Sequence, residues 1–83
     1  MKLLYFAWVR QKIGKSEENL SLPAAVSTLR DLAQHLRGLG PGYADVFGDL
    51  TRLRAAANRE HVGFDTPVGP DDEIAFFPPM TGG

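Results

Sequence analysis

The sequence predicts an α+β domain in which a mixed sheet of about five strands packs on one main helix. Short apolar or alternating segments, typical of strands, lie towards both ends of the chain. Between them, one segment repeats its apolar residues every three or four positions, which is typical of a helix with one buried face. A chain of 83 residues is expected to form a single domain with one modest core.

The N-terminal part supplies the first two predicted strands. Residues 3–9 (LLYFAWV) are apolar throughout, which favours a strand covered on both faces or facing a partner. Gly14, in the segment that follows, favours a turn. Residues 18–22 (ENLSL) alternate polar and apolar side chains, which predicts a half-buried second strand running back antiparallel.

The main helix is predicted from Val26 onwards, after Pro23 ends the second strand. Ser27 or Thr28 is expected to cap its start, and Gly38 or Gly40 to end it in a left-handed conformation. The apolar stripe consists of Val26, Leu29, Leu32, Ala33 and Leu36.

The C-terminal part supplies a loop and three further predicted strands. The loop, with one short helical turn, is expected to send Tyr43, Val46 and Phe47 into the core. Residues 52–58 and 61–64 are predicted to form the third and fourth strands around a turn. The segment EIAFFP (residues 73–78) follows the tight turn GPDDE and is predicted to form the last strand, which Pro78 and Pro79 terminate.

The predicted order, β-β-α-β-β-β, fits a β-grasp (ubiquitin-like) roll by analogy, with the first and last strands side by side at the centre. The domain is then expected to span residues 1–77, and residues 78–83 to form an extended tail that leaves the middle of the sheet. The tail ends in Gly82 and Gly83.

Composition excludes several classes of function. The nine basic and ten acidic residues are nearly balanced, so there is no footprint of a nucleic-acid binder. The absence of cysteine excludes disulfides, thiolate metal sites and a thiol nucleophile. The N-terminal apolar run is short and broken by Arg10, so a soluble cytoplasmic protein without membrane association is expected.

Polar clusters that resemble sites have simpler interpretations. The segment GLGPG lacks the lysine of a phosphate-binding loop and is interpreted as a loop. His35 and His61 have no ligand partner at helical spacing and are interpreted as surface or edge residues. The acidic residues Asp65, Asp71, Asp72 and Glu73 lack calcium-loop spacing and are interpreted as parts of solvated turns. No independent active site, metal site or bound cofactor is expected.

The composition of the tail suits a segment that enters a narrow pocket of a partner and reacts at its terminal carboxylate. Gly82 and Gly83 carry no Cβ, so the backbone near the terminal carboxylate can pass through a narrow slot. A carboxylate is a poor electrophile, so acyl chemistry at Gly83 requires activation by a partner that uses ATP. Pro78 and Pro79 stiffen the exit, and residues 78–83 can span up to ~20 Å.

Aromatic residues near the tail are candidates for partner docking. If Ile74 and Phe76 face the core, strand alternation places Phe77 on the opposite face. Phe6 and Trp8 join Phe77 there if the first strand is in the matching register. Arg10, at the predicted end of that strand, is a candidate for the same surface, and a generic solvent-facing arginine is an equally good interpretation. The alternative is that Phe77 folds back over the small core.

Four segments together resemble the small subunits of molybdopterin synthase, the ubiquitin-like sulfur carriers often called the MoaD family. They are LLYFAWVR, VSTLRDLAQHL, AAANRE and PDDEIAFFPPMTGG, which includes the bare Gly82-Gly83 end. The most specific part is DEIAFFPPMTGG. The bulky Trp8 is a departure from a position that is often polar in the family.

The resemblance implies a function in molybdenum cofactor biosynthesis. A ubiquitin-activating-like adenylyltransferase would adenylate Gly83 with ATP, and a sulfur donor would convert it to a thiocarboxylate. The tail would then enter the large subunit of the synthase and donate sulfur to a cyclic pterin precursor. Gly82 would permit passage and Phe77 would anchor docking, so the chain acts as the sulfur-donating subunit of an enzyme. The inserted stem would consist of Pro78, Pro79, Met80 and Thr81.

Three alternatives remain open at this stage. Sulfur carriers for thiazole synthesis or tRNA thiolation share the Gly-Gly end, and the segment FFPP is what favours molybdopterin synthesis. A ubiquitin-like modifier would instead bond Gly83 to lysines of target proteins. A plain interaction domain would use no terminal chemistry.

Overall fold

The computed structural model describes residues 1–79, and Met80, Thr81, Gly82 and Gly83 lie outside the described residues. The described part forms one five-stranded mixed sheet with helices against it. Along the chain the elements are β1 (Lys2–Tyr5), α1 (Ala7–Ile13), β2 (Glu17–Asn19), α2 (Leu29–Arg37), α3 (Pro41–Phe47), a 3-10 turn (Leu50–Arg52), β3 (Arg54–Ala57), β4 (Glu60–Val62) and β5 (Glu73–Phe77).

The sheet has the strand order β2-β1-β5-β3-β4. β1 and β5 pair in parallel at its centre, with Leu3 opposite Ile74 and Tyr5 opposite Phe76. The other pairs of neighbouring strands are antiparallel. The prediction that the first and last strands lie side by side is therefore confirmed, and so is the β-grasp arrangement.

The predicted first strand is wrong beyond Tyr5. Ala7 has a φ of 54°, which breaks the strand direction, and the chain continues as α1. Val9 is fully buried and Ile13, four residues later, packs against the core. Gly14, with a φ of 89°, ends the helix in the left-handed conformation that glycine tolerates. The second strand is also shorter than predicted.

The main helix begins at Leu29, directly after Thr28, which is one of the two predicted caps. Thr28 is the N-cap, because the Asp31 N–H donates to Thr28 Oγ1 at 3.2 Å and the Thr28 N–H donates to Asp31 Oδ2 at 3.1 Å. This reciprocal pair is a capping box. Gly38 follows the last helical residue, but its φ of −84° is right-handed, so the expected left-handed end is wrong.

The segment interpreted as a loop with one helical turn forms the two-turn helix α3. Pro41 suits the first turn, where a missing N–H costs nothing. Gly42 lets α3 approach α1, because a Cβ there would lie 2.1 Å from the Lys12 carbonyl oxygen. Val46 and Phe47 are buried and Tyr43 is partly buried, as predicted.

The core lies between the inner face of the sheet and the helices. Its buried residues come from every layer, and burial of this apolar surface is the main stabilising contribution. The largest are Leu3, Tyr5, Val9, Leu29, Leu32, Leu36, Val46, Phe47, Leu53, Ile74 and Phe76.

Candidate functional site

The candidate site is the end of β5, where the chain leaves the centre of the sheet. β5 is held on one side by β1 and on the other by β3. Phe77 is its last residue, because Pro78 has no N–H to continue the ladder. The predicted strand, residues 73–78, begins at Glu73 as expected and ends one residue earlier than predicted, at Phe77.

Phe76 anchors the strand from the inner face. Its ring stacks on Tyr5 with 6.3 Å between centroids and meets Phe47 edge-on at 4.9 Å. Phe76 and Ile74 are both fully buried. These contacts fix the direction in which β5 delivers the residues that follow it.

Phe77 lies on the opposite, outer face, as strand alternation predicts. It is partly exposed, and it sits opposite Arg54 in the β3–β5 register. The imidazole of His61 meets its ring edge-on, with centroids 5.2 Å apart. Phe77 therefore does not fold back over the core, and His61 and Arg54 are neighbours that the sequence interpretation missed.

The condition on which an outer-face position of Trp8 depended is not met, because β1 ends at Tyr5. Trp8 lies on α1, where it is partly buried against the core, and the guanidinium carbon of Arg52 lies 5.1 Å above its ring. Phe6 is 50% exposed. Its N–H donates to the Phe76 carbonyl at 3.2 Å, so Phe6 stays beside the end of β5.

Arg10 is exposed on α1 and does not end a strand. It lines a shallow depression with Gln11, Gly14, Lys15 and Ser16. The structure therefore places Arg10 along the helix that follows β1, and its predicted part in partner binding stays a prediction.

Asp72 fixes the other end of β5. One carboxylate oxygen accepts from Asn58 Nδ2 at 3.0 Å, and the other accepts from the Gly69 N–H at 2.8 Å. These hydrogen bonds, that from Asn58 first, hold the pKa of Asp72 below its usual range. The Glu73 N–H in turn donates to Asn58 Oδ1 at 3.0 Å. Asp72 thus ties the β3–β4 turn to the start of β5.

The other polar candidates fall into surface roles. Asp65 pairs with Arg30 at 3.1 Å in an exposed salt bridge. His35 lies in the last turn of α2, away from His61 on β4. The predicted reactive residues Gly82 and Gly83 and the stem residues Met80 and Thr81 lie outside the described residues.

The sequence pattern that defines the ThiS family matches residues 3–83. The chain belongs to the ThiS family.

Relatives of this family member match along nearly their whole length. The molybdopterin synthase sulfur carrier subunit of Escherichia coli K12 is 39% identical over 83 residues, covering all of this chain and 99% of that protein. The subunit of the same name from Dictyostelium discoideum is 33% identical, covering 99% and 94%. The human one is 31% identical, covering 100% and 93%.

Solved structures share the fold. SAMP1 from Haloferax volcanii, a small archaeal modifier protein, superposes with a TM-score of 0.77 at 26% identity, covering 100% of this chain and 98% of that chain. A putative molybdopterin converting factor subunit 1 from Pyrococcus furiosus gives a TM-score of 0.75 at 26% identity, covering 95% of each chain. Within residues 1–79, no helix has the length and apolar character needed to cross a membrane.

Proposed function

We propose that this chain is the sulfur-carrier subunit of a molybdopterin synthase, with Gly83 as the residue that carries sulfur. The observation that carries the proposal is the 39% identity, over the whole chain, to the Escherichia coli protein of that name. The segment FFPPMTGG supplies the chemistry, because residues 78–82 join the proposed docking residue Phe77 directly to the reactive end at Gly83.

The position of β5 supports this assignment. Phe77 is the last residue of a strand that is hydrogen-bonded on both sides, so a rigid base precedes Pro78 and Pro79. We propose that residues 1–77 are the folded carrier and residues 78–83 the delivery arm. Met80, Thr81 and Gly82 would pass through the partner's channel, because short or unbranched side chains leave the arm thin.

The proposed cycle requires two partners. An adenylyltransferase activates Gly83, whose carboxylate oxygen attacks the α-phosphorus of ATP and releases pyrophosphate. A sulfur donor at the oxidation level of hydrosulfide then forms the C–S bond, and AMP leaves with the electrons of the broken C–O bond. The resulting thiocarboxylate enters the synthase large subunit, where its sulfur forms a bond to a carbon of the pterin precursor and displaces an oxygen leaving group. Water then cleaves the acyl C–S bond, which leaves the sulfur on the pterin and restores the Gly83 carboxylate. In this scheme the chain binds no cofactor of its own.

Intact mass spectrometry tests the proposed chemistry. The chain is incubated with ATP, the adenylyltransferase and sodium hydrosulfide, and the expected result is a mass increase equal to one sulfur replacing one oxygen. Deletion of Gly83 is the matched control and should abolish the increase. No exchange in the wild-type chain, with partners shown to thiolate a known carrier, would overturn the proposal.

A second function is favoured by the likeness to the Haloferax volcanii modifier protein. A modifier would form an isopeptide bond between Gly83 and a lysine of another protein, with AMP as the leaving group. Adding the large subunit and the pterin precursor separates the two functions, because only the synthase subunit converts the precursor to the dithiolene. The same step excludes thiazole synthesis and tRNA thiolation.

A further inference from the structure

Two arginines lie at or just before the start of β3, beside the end of β5 where the tail begins. β3 runs antiparallel to β5, so the start of β3 adjoins the end of β5, and Arg54 is the register partner of Phe77. Arg52 precedes Arg54 by two residues and lies over the ring of Trp8. Trp8 itself follows closely after β1, whose parallel pairing with β5 ends at Tyr5 and Phe76. We call Arg52 and Arg54 the arginine collar.

The collar is held in place by its own contacts. Arg54 Nη1 donates to the Leu53 carbonyl at 2.9 Å and to the Thr51 carbonyl at 3.4 Å. Arg52 is positioned by the cation–π contact with Trp8, whose ring centroid is 5.1 Å away. Less side-chain entropy remains to be lost when a pre-positioned arginine binds a carboxylate.

Neither collar residue forms a salt bridge within residues 1–79. The salt bridges there use Lys2, Lys12, Lys15 and Arg30. The pKa of Asp49 is lowered mainly by the hydroxyl of Thr51, which donates at 2.6 Å, and by the Thr51 N–H, which donates at 3.1 Å, and only to a smaller extent by Arg52. Both collar residues are exposed.

The opposite end of β5 carries charges of both signs. Asp71, Asp72 and Glu73 lie where the strand starts, but Lys2 is the register partner of Glu73, and Arg59 lies in the adjacent β3–β4 turn. At the other end, Arg52 and Arg54 supply local positive charge beside the last residue of β5. Local charge of this kind favours an approaching partner of opposite sign.

We infer that the arginine collar docks onto acidic side chains at the mouth of the channel that receives the tail, in the synthase large subunit. This inference rests on the proposed function. The channel floor must hold an anionic carboxylate or thiocarboxylate and therefore needs positive charge. Carboxylates that pair with the collar must consequently lie on the channel's rim, where they contact the carrier while the tail is inserted.

The experiment compares charge variants by calorimetric titration of the full chain into the purified large subunit. The variants are the neutral pair Arg52→Gln/Arg54→Gln, the reversed pair Arg52→Glu/Arg54→Glu, and the matched control Arg59→Glu. Arg59 is exposed in the β3–β4 turn, at the far end of β3 from the collar. Urea unfolding of each variant establishes that the fold is retained.

At low salt we expect the neutral pair to weaken binding several-fold and the reversed pair by at least about tenfold, with a shallower salt dependence in both. Arg59→Glu should change the dissociation constant by less than about twofold. If the contact were only steric, the affinities of the variants would not follow their charges. If the collar variants bind like Arg59→Glu with an unchanged salt dependence, the collar inference is overturned and the proposed function stands. If the wild-type chain does not bind the large subunit, both are overturned.

Discussion

The hydroxyl of Tyr5 donates a 2.6 Å hydrogen bond to Oε2 of Glu18. The hydroxyl of Tyr43 donates to the same oxygen at 2.7 Å, and Lys15 Nζ donates to the other carboxylate oxygen at 3.2 Å. Burial alone would raise the pKa of Glu18, but these donors together outweigh it and hold that pKa below its usual range. Burial, followed by the contact with Glu18, raises the pKa of Tyr5. One carboxylate thus joins β1, β2 and α3.

Replacing this carboxylate is expected to destabilise the fold. Glu18→Gln keeps the size of the side chain but removes the charge that strengthens the tyrosine hydrogen bonds, so the free energy of unfolding should fall by about 1–3 kcal/mol. Urea denaturation at neutral pH measures the change. Glu17→Gln, on the same strand, is the control, because its salt bridge with Lys2 is exposed and should contribute less than about 1 kcal/mol. Equal losses in the two variants would contradict the prediction.

The contribution of Glu18 is also expected to disappear in acid. Its pKa in the folded chain lies below the ordinary value of 4.5, so folding favours the ionised form. The resulting stability is fully present above 4.5 and is lost as the pH falls through the lowered folded value. Urea denaturation of the wild-type chain and Glu18→Gln from about pH 7 to about pH 2.5 should show their difference shrinking at the acid end. A difference that is constant with pH would exclude this linkage.

Local patterns predicted part of this architecture, and long-range contacts decided the rest. The end of β5 at Phe77 follows from Pro78, whose missing N–H acts locally. The run of residues 3–9 is apolar throughout, so its periodicity cannot separate strand from helix. The chain switches from strand to helix at Ala7, which has a positive φ. Nothing about an alanine residue predicts a positive φ.

The same distinction applies to the candidate site. The outward position of Phe77 follows from alternation along one strand. Its neighbours Arg54 and His61 depend on the register between β3, β4 and β5, which only the folded sheet sets. The sequence leaves the orientation of Trp8 open, because that orientation depends on how far β1 extends, and the strand ends at Tyr5. Glu18 and Tyr43 are 25 residues apart in the sequence, and no local pattern links them.

The close approach of α1 and α3 gives a stability prediction. A Cβ on Gly42 would lie 2.1 Å from the Lys12 carbonyl oxygen and 3.0 Å from its carbon. Gly42→Ala must therefore push the two helices apart, and the free energy of unfolding should fall by about 1–3 kcal/mol. Gly63→Ala is the control, because no atom lies within 4 Å of the added Cβ. Thermal unfolding of both variants checks this, and an unchanged midpoint for Gly42→Ala would show that the helices separate without cost.

The two adjacent phenylalanines of β5 are expected to differ in their effect on folding. Phe76 is fully buried against Tyr5 and Phe47, so Phe76→Ala should cost about 3–5 kcal/mol, close to the whole stability of a small domain. Phe77 is partly exposed on the outer face, so Phe77→Ala should cost less than about 1.5 kcal/mol. Urea denaturation separates them, and similar losses would mean that Phe77 is a core residue.

Phe77 is expected to contribute more to binding the synthase large subunit than to the stability of the fold. Phe77 lies on the outer face at the base of the proposed delivery arm, where an aromatic side chain that becomes buried on docking contributes strongly to affinity. Phe77→Ala should therefore weaken the complex by about 1–3 kcal/mol. Calorimetric titration measures this, with His61→Ala as a control that removes the neighbouring ring and leaves Phe77 in place. If Phe77→Ala stays folded and binds as the wild-type chain does, the outer face at Phe77 is not the docking surface.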